Sequence, residues 1–217
     1  MRFGPIKFSG DTELTDSITS FGPLSAGGNL FGSHITVNGP CSISGNLELD
    51  DLLRVNGPLI VKGSLVLHKG AVAKVNGPAS ITKGIIGGEI RINGPAKSEY
   101  IESRSIKING PLVVEQDVVA EDEIIIGVGR SSKNREGGTI SVGGTIEAPL
   151  VRLKNYSRSI SPGRIIKKVL GVQEKFIGIV VLKGLKIKAD VLELEGIELE
   201  NCDLDQVTEI VQLDFGK

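Results

Sequence analysis

Apolar and polar residues alternate along this chain in short bursts that stop and restart at nearly constant intervals. The pairs Ile35/Val37, Leu53/Val55, Ala73/Val75, Ile90/Ile92 and Ile106/Ile108 each place two apolar side chains one residue apart. Period two marks a strand with one buried face, because successive side chains of a strand point to opposite sides. Every one of these pairs runs into the same tripeptide: Asn38-Gly39-Pro40, Asn56-Gly57-Pro58, Asn76-Gly77-Pro78, Asn93-Gly94-Pro95 and Asn109-Gly110-Pro111. The spacings are 18, 20, 17 and 16 residues, and Phe3-Gly4-Pro5 and Phe21-Gly22-Pro23, 18 apart, extend the phase toward the N-terminus. A second burst follows each proline, at Cys41/Ile43, Leu59/Val61, Ala79/Ile81 and Leu112/Val114, with Ala96/Ser98 as a weaker copy.

The tripeptide predicts a fixed corner. Asn tolerates left-handed backbone and bonds neighbouring amides; Gly reaches dihedrals closed to other residues; Pro sets φ and removes a ladder donor. Gly45, Gly63 and Gly84 supply a second punctuation about five residues after the first in several copies. Two or three corners per 16–20 residues make a coil with three short faces. One coil cannot bury its apolar side alone, but coils stacked at about 4.8 Å bury a continuous core and pair every backbone group with the next coil. The asparagines then form one row and the prolines another. Gly and Pro recur too often for a helix of ordinary length.

The expected fold class is therefore all-β, a single-stranded right-handed parallel β-helix with coils of about 16–20 residues. Right-handedness is expected because left-handed β-helices keep six-residue steps, which the varying spacing breaks. The chain reads as one domain over 1–217, with regular coils at 30–115 and less regular ones at 116–217. Two stretches, Ile146 to Leu153 and Ile187 to Leu194, share an Ile-x-Ala-x-x-Val/Leu-x-Leu pattern and are expected as later coils. The polar, turn-rich segments 127–138 and 154–164 are expected as projecting loops, and Ile197 to Phe215 as a last coil or a capping strand.

Composition agrees with stacked strands. Of the 217 residues 40% are apolar but only 4% aromatic, so Ile, Val and Leu supply the bulk of the core. Net charge is −1, with 25 basic and 26 acidic side chains, and no basic patch interleaved with aromatics is visible, so no nucleic-acid partner is expected. Cys41 and Cys202 have no metal-ligand spacing and read as small core residues in a reducing compartment. The start lacks the apolar middle of a signal peptide and Phe176 to Leu182 is too short for a membrane span, so a soluble, cytoplasmic protein is expected.

Candidate chemistry is sparse. His34 and His68 are the only histidines, fewer than the three that a His-ligated catalytic zinc needs, and they read as coil-edge residues. The carboxylate groups Asp50-Asp51 and Glu121-Asp122-Glu123 are the candidates for paired-acid chemistry and read as solvated turns. Gly127-Val128-Gly129-Arg130-Ser131-Ser132 imitates a phosphate loop but lacks its Gly-Lys-Ser/Thr ending. Basic residues at Arg152/Lys154 with Arg158, and at Arg164/Lys167/Lys168, are balanced by acidic stretches. Phe3, Ile6 and Phe8 are candidates for membrane contact, against the plainer reading as a first coil strand. No catalytic, cofactor-binding or metal residue is assigned.

The Gly-punctuated coils, the Ile-x-Ala-x-x-Val-x-Leu pattern and the absence of catalytic groups together resemble the bactofilins, a family of polymer-forming cytoskeletal proteins. The resemblance spans roughly residues 30 to 200 and implies a right-handed parallel β-helix that polymerises end to end into non-polar filaments without nucleotide, in some members with a short N-terminal membrane attachment. This chain departs in its length, its Asn-Gly-Pro corners and its two polar insertions. The leading expectation is a non-enzymatic, self-assembling scaffold whose partner is itself, through coil ends near Met1 to Leu24 and Ile197 to Lys217. Two alternatives are a β-helix enzyme acting on polysaccharide and a monomeric module that binds another protein.

Overall fold

The structure is a computed structural model that describes residues 2–128, 139–155 and 180–213. Its strands are joined only in parallel and stack as a β-solenoid of about 10 turns with about 18 residues per turn. No helix occurs among the described residues. The expected fold class stands.

Each coil has three faces. The first face holds the strand after the proline: Ile6–Phe8, Leu24–Ala26, Cys41–Ile43, Leu59–Val61, Ala79–Ile81, Ala96–Ser98, Leu112–Val114 and Ile140–Val142 form an eight-stranded sheet in that order. Val180–Lys183 and Ile197–Glu200 precede the second face of the last two coils and pair with each other as a separate sheet. The second and third faces share one 15-stranded sheet, because in several coils the bend between them is shallow enough for one strand to cross it, as Leu47–Val55 does.

Register stacks like on like. On the third face Leu53 pairs with Ala73, Ala73 with Ile90, Ile90 with Ile106 and Ile106 with Ile124. All of these are buried, as are Leu47, Leu65 and Ile85 on the second face and Cys41, Leu59 and Ala79 on the first. The alternation seen in the sequence is thus the inward half of each strand. Each large aliphatic stabilises the stack by about 1.5–3 kcal/mol through burial alone. The weak copy has a reason: Ser98 is also buried, and its hydroxyl lies 2.8 Å from the Lys83 carbonyl and 2.9 Å from that of Tyr100.

The coils run on to both sides of 30–115: the Phe-Gly-Pro copies carry a complete coil from Ile6 to Phe21, and the pairing continues to Gln212. Two expectations are corrected in detail. Neither polar insertion starts where expected, since Gly127 and Val128 end the strand Val118–Val128 and Lys154 and Asn155 end Leu150–Asn155. Both strands hold their ladder partners through those residues, Gly127 with Lys154 and Val128 with Asn155. Gly84 is not a corner but the first residue of Gly84–Ile86, packed beneath the ring of Tyr100, where any Cβ would collide with the ring. Of the two forms expected for the stretch from Ile197, the described residues take the first, a last coil paired in parallel below the ninth. The remainder of the two insertions, 129–138 and 156–164, and with it Gly129 to Ser132, Arg158, Arg164, Lys167 and Lys168, lies outside the described residues.

Candidate functional site

The corners expected from the sequence come together as ladders. Asn56 donates from Nδ2 to Asn38 Oδ1 at 2.7 Å, Asn76 to Asn56 at 2.8 Å, Asn93 to Asn76 at 2.8 Å and Asn109 to Asn93 at 2.7 Å. A carboxamide gives a hydrogen bond from its nitrogen and takes one at its oxygen, so in one column each asparagine orients the next. Beside them the glycines stack backbone on backbone. A Cβ on Gly77 would lie 2.6 Å from the carbonyl oxygen of Gly57 and 2.8 Å from its carbon, which is why the middle position is Gly. Pro40, Pro58, Pro78, Pro95 and Pro111 follow as an exposed row.

A second ladder at the next corner was missed. Asn29 N–H donates to Asp11 Oδ1 (2.7 Å), Asn46 N–H to Asn29 Oδ1 (2.8 Å), Ser64 N–H to Asn46 Oδ1 (3.0 Å) and Thr145 N–H to Asp117 Oδ1 (2.7 Å). Its signal was present as Gly10-Asp11, Gly28-Asn29, Gly45-Asn46 and Gly63-Ser64. A short acceptor after the corner glycine reaches the backbone of the following coil.

The bend between the second and third faces gathers the titratable residues. Asp50 and Asp51 lie there on one coil, with His34 one coil below and His68 one coil above. His34 Nδ1 is 3.3 Å from Asp51 Oδ2, and His68 Nε2 is 4.0 Å from Asp50 Oδ1. The His68 ring also meets the edge of Phe31, with centroids 6.3 Å apart. The other carboxylate cluster sits on the same bend four coils along, about 19 Å away at the ladder spacing. There Asp122 lies 3.7 Å from Arg104, and Glu123 lies 2.8 Å from Lys107. The hydrogen bond from Lys107 holds the Glu123 carboxyl below its ordinary range, against the opposing effect of partial burial, with Ser105 and Arg152 adding to the lowering. The two clusters are not brought together, and among the described residues no group of His, Cys, Asp and Glu could hold a metal ion.

Register also builds a basic column that sequence distance concealed. Arg54 pairs with Lys74, Lys74 with Arg91 and Arg91 with Lys107, all pointing outward on the third face. The signal was a Lys or Arg two residues before Asn in four of the five Asn-Gly-Pro copies. Arg91 is neutralised by Glu89 and Lys107 by Glu123.

Of the membrane candidates, Phe3 stands on the edge strand Arg2–Phe3, Ile6 is 6% exposed within the core and Phe8 packs partly buried against it. Cys41 lies in the core, and burial pushes its thiol up to about 12; Cys202 is half-buried in the last coil.

Two grooves and the two outermost coils are further features of the described residues. A groove of about 340 Å³ follows the proline row beside Ile60, Ser80, Lys97 and Val113. A polar cleft of about 290 Å³ lies on the second face of the last coils, lined by Thr145, Glu147, Lys186, Lys188, Asp203 and Asp205. It opens at the register shift between Lys186 and Lys188, and Lys188 Nζ lies 2.7 Å from Glu147. At the ends, Ile6–Phe8 and Thr12–Leu14 have a described partner strand on one side only, as does Asp203–Gln212. The last coil, 197–212, carries Glu198, Glu200, Asp203, Asp205 and Glu209 with no Lys or Arg, and Ile210 and Leu213 are 51% and 38% exposed on and beside its third face.

No protein-family model, curated protein or solved structure matches this chain.

Proposed function

We propose that the chain is a non-enzymatic structural scaffold that joins copies of itself end to end into filaments without nucleotide, as its resemblance to the bactofilins implies. The single observation that carries this reading is the outer edge of the last described coil. Its strand Asp203–Gln212 has one described ladder partner, and apolar Ile210 and Leu213 face solvent at the edge. An unpaired edge of this length is a template for a further strand. Five carboxylates in that coil oppose the approach of another acidic surface, so assembly is expected to rise with salt. Electron microscopy and light scattering of the concentrated protein test the reading. Filaments that vanish in Ile210→Lys/Leu213→Lys support it, and a wild-type chain that stays unjoined at its ends at every concentration and salt sinks it.

A second reading is favoured by the polar cleft alone. Glu147, Asp203 and Asp205 place three carboxylates around a groove that follows the solenoid, the arrangement expected of an enzyme acting on polysaccharide. Glycan cleavage lost in Glu147→Gln or Asp205→Asn would favour it over the scaffold. The third alternative, a protein-binding module, has no anchor residue of its own.

A further inference from the structure

We propose that two copies of this chain pair side by side and antiparallel through their first faces, the faces that follow the prolines. The outward position of that face reads, from the fourth coil to the seventh, Ile60, Ser80, Lys97 and Val113, each paired with the next in register. Ile60 and Val113 are 45% and 39% exposed, among the few large apolar residues left in solvent. The groove beside them is lined almost wholly by apolar atoms of the proline row.

The order apolar, polar, polar, apolar is the same in both directions. The solenoid has about ten coils, so the midpoint of its length falls between the fifth and the sixth, at Ala79–Ile81 and Ala96–Ser98. A two-fold axis through that midpoint, lying in the face and along the strands, sets coil against coil in reverse order and keeps each position of the strand opposite its own kind. Ile60 then meets the partner's Val113, Lys97 meets the partner's Ser80, and proline row meets proline row. At the ends, Lys7 of the first coil and Glu198 of the last both project from this face, and the same axis sets them opposite each other.

Charge selects this arrangement over the other two-fold. A parallel pair would set Lys97 on Lys97, Lys7 on Lys7 and Glu198 on Glu198, three like-charge contacts that the antiparallel pair replaces with two polar contacts and two ion pairs, each made once from either copy. Size is adequate. Ten strands at about 4.8 Å and a face roughly 14 Å wide bury roughly 1,300 Å² in total, within the range of stable dimers. The pairing uses a side of the solenoid and leaves both ends free, so it does not rest on end-to-end joining.

Cross-linking tests it in a Cys202→Ser background. Ile60→Cys and Val113→Cys are made as separate proteins and mixed with a bis-maleimide cross-linker of about 10 Å span, which matches the spacing of faces packed on each other. In an antiparallel pair of like chains the two thiols lie three coils apart along the axis, about 14 Å, as well as across the gap, beyond its reach. The expected result is a covalent dimer from the mixture at least ten-fold more abundant than from either protein alone, and sedimentation at twice the 22.9 kDa chain mass for the wild type, lost in Ile60→Asp/Val113→Asp. Equal cross-linking by Ile60→Cys alone would overturn the antiparallel pairing. A wild-type side-to-side monomer, with no cross-link in the mixture, would overturn the interface, whether or not end-to-end filaments form.

Discussion

Asn76 and Asn56 are twenty residues apart in the chain, yet the Nδ2 of one lies 2.8 Å from the Oδ1 of the other. The same amide of Asn76 accepts from Asn93 at 2.8 Å, so one side chain ties three successive coils together. Asparagine serves here because its two ends match along the solenoid axis. A carboxylate could accept but not give, and an aliphatic residue could do neither.

Asn76→Ala therefore removes two ladder bonds, whereas Asn38→Ala removes one, that from Asn56. Net contributions near 1 kcal/mol per bond put the losses at about 2 and about 1 kcal/mol. Urea unfolding of both variants measures the ratio. Equal losses would mean that the ladder follows the corner rather than holding it.

The adjacent glycine is the stricter position. Gly77→Ala would press a methyl group within 2.6 Å of the Gly57 carbonyl oxygen, and the backbone of Gly57 and Pro58 that it meets has nothing flexible to yield. The coils must separate or shift, at a cost of about 3 kcal/mol or more, in the range of overpacked cores. Gly70→Ala, at a glycine with open space around it and φ of +89°, isolates the conformational part, about 1 kcal/mol. Thermal melts of the pair should rank Gly77→Ala as much the more damaging.

The corner was legible because one tripeptide carries it five times, and the inward alternation was legible because period two survives any loop length. What the sequence hid lies between coils. Arg54, Lys74, Arg91 and Lys107 are 20, 17 and 16 residues apart, and only the register shows them as a column. His34 and His68 look isolated by sequence, but the coil between them presents Asp51 to His34 and Asp50 to His68. The second ladder escaped because Asp and Asn perform the same backbone contact interchangeably, so no single letter repeats. Gly84 misled for the opposite reason: the letter recurs, but there it makes room for Tyr100.

The two cysteines should separate cleanly by reactivity. Cys41 points into the first-face core between Leu24 and Leu59, and burial raises its thiol to about 12, so little thiolate forms near neutral pH. Cys202 lies near the surface of the last coil with Sγ 3.5 Å from the Glu200 carbonyl. An aromatic disulfide reagent is expected to titrate Cys202 in the native protein and both thiols in denaturant. Prompt labelling of Cys41 under native conditions would contradict the inward register of that strand.

Glu123 gives the solenoid a defined acid sensitivity. Its carboxyl is held below the ordinary range first by the hydrogen bond from Lys107, then by the charges of Lys107 and Arg152 and by Ser105, with partial burial acting the other way. A depressed folded-state pKa means that the unfolded chain binds this proton more readily. The stabilisation is therefore fully present above the ordinary carboxylate range and is lost as pH falls through the lowered folded value. Lys107→Met removes the leading cause and should bring the Glu123 titration back toward its usual position, as carboxyl-carbon NMR would follow. Solvent screening at this partly exposed site keeps the charge contribution within about 1 kcal/mol. In urea melts the gap between wild type and Lys107→Met should narrow as pH falls from neutral through the lowered folded value, leaving only the difference in packing of the two long side chains. A gap that stayed constant across that interval would assign the effect to the Lys107 stem lying over the third face and not to the ion pair.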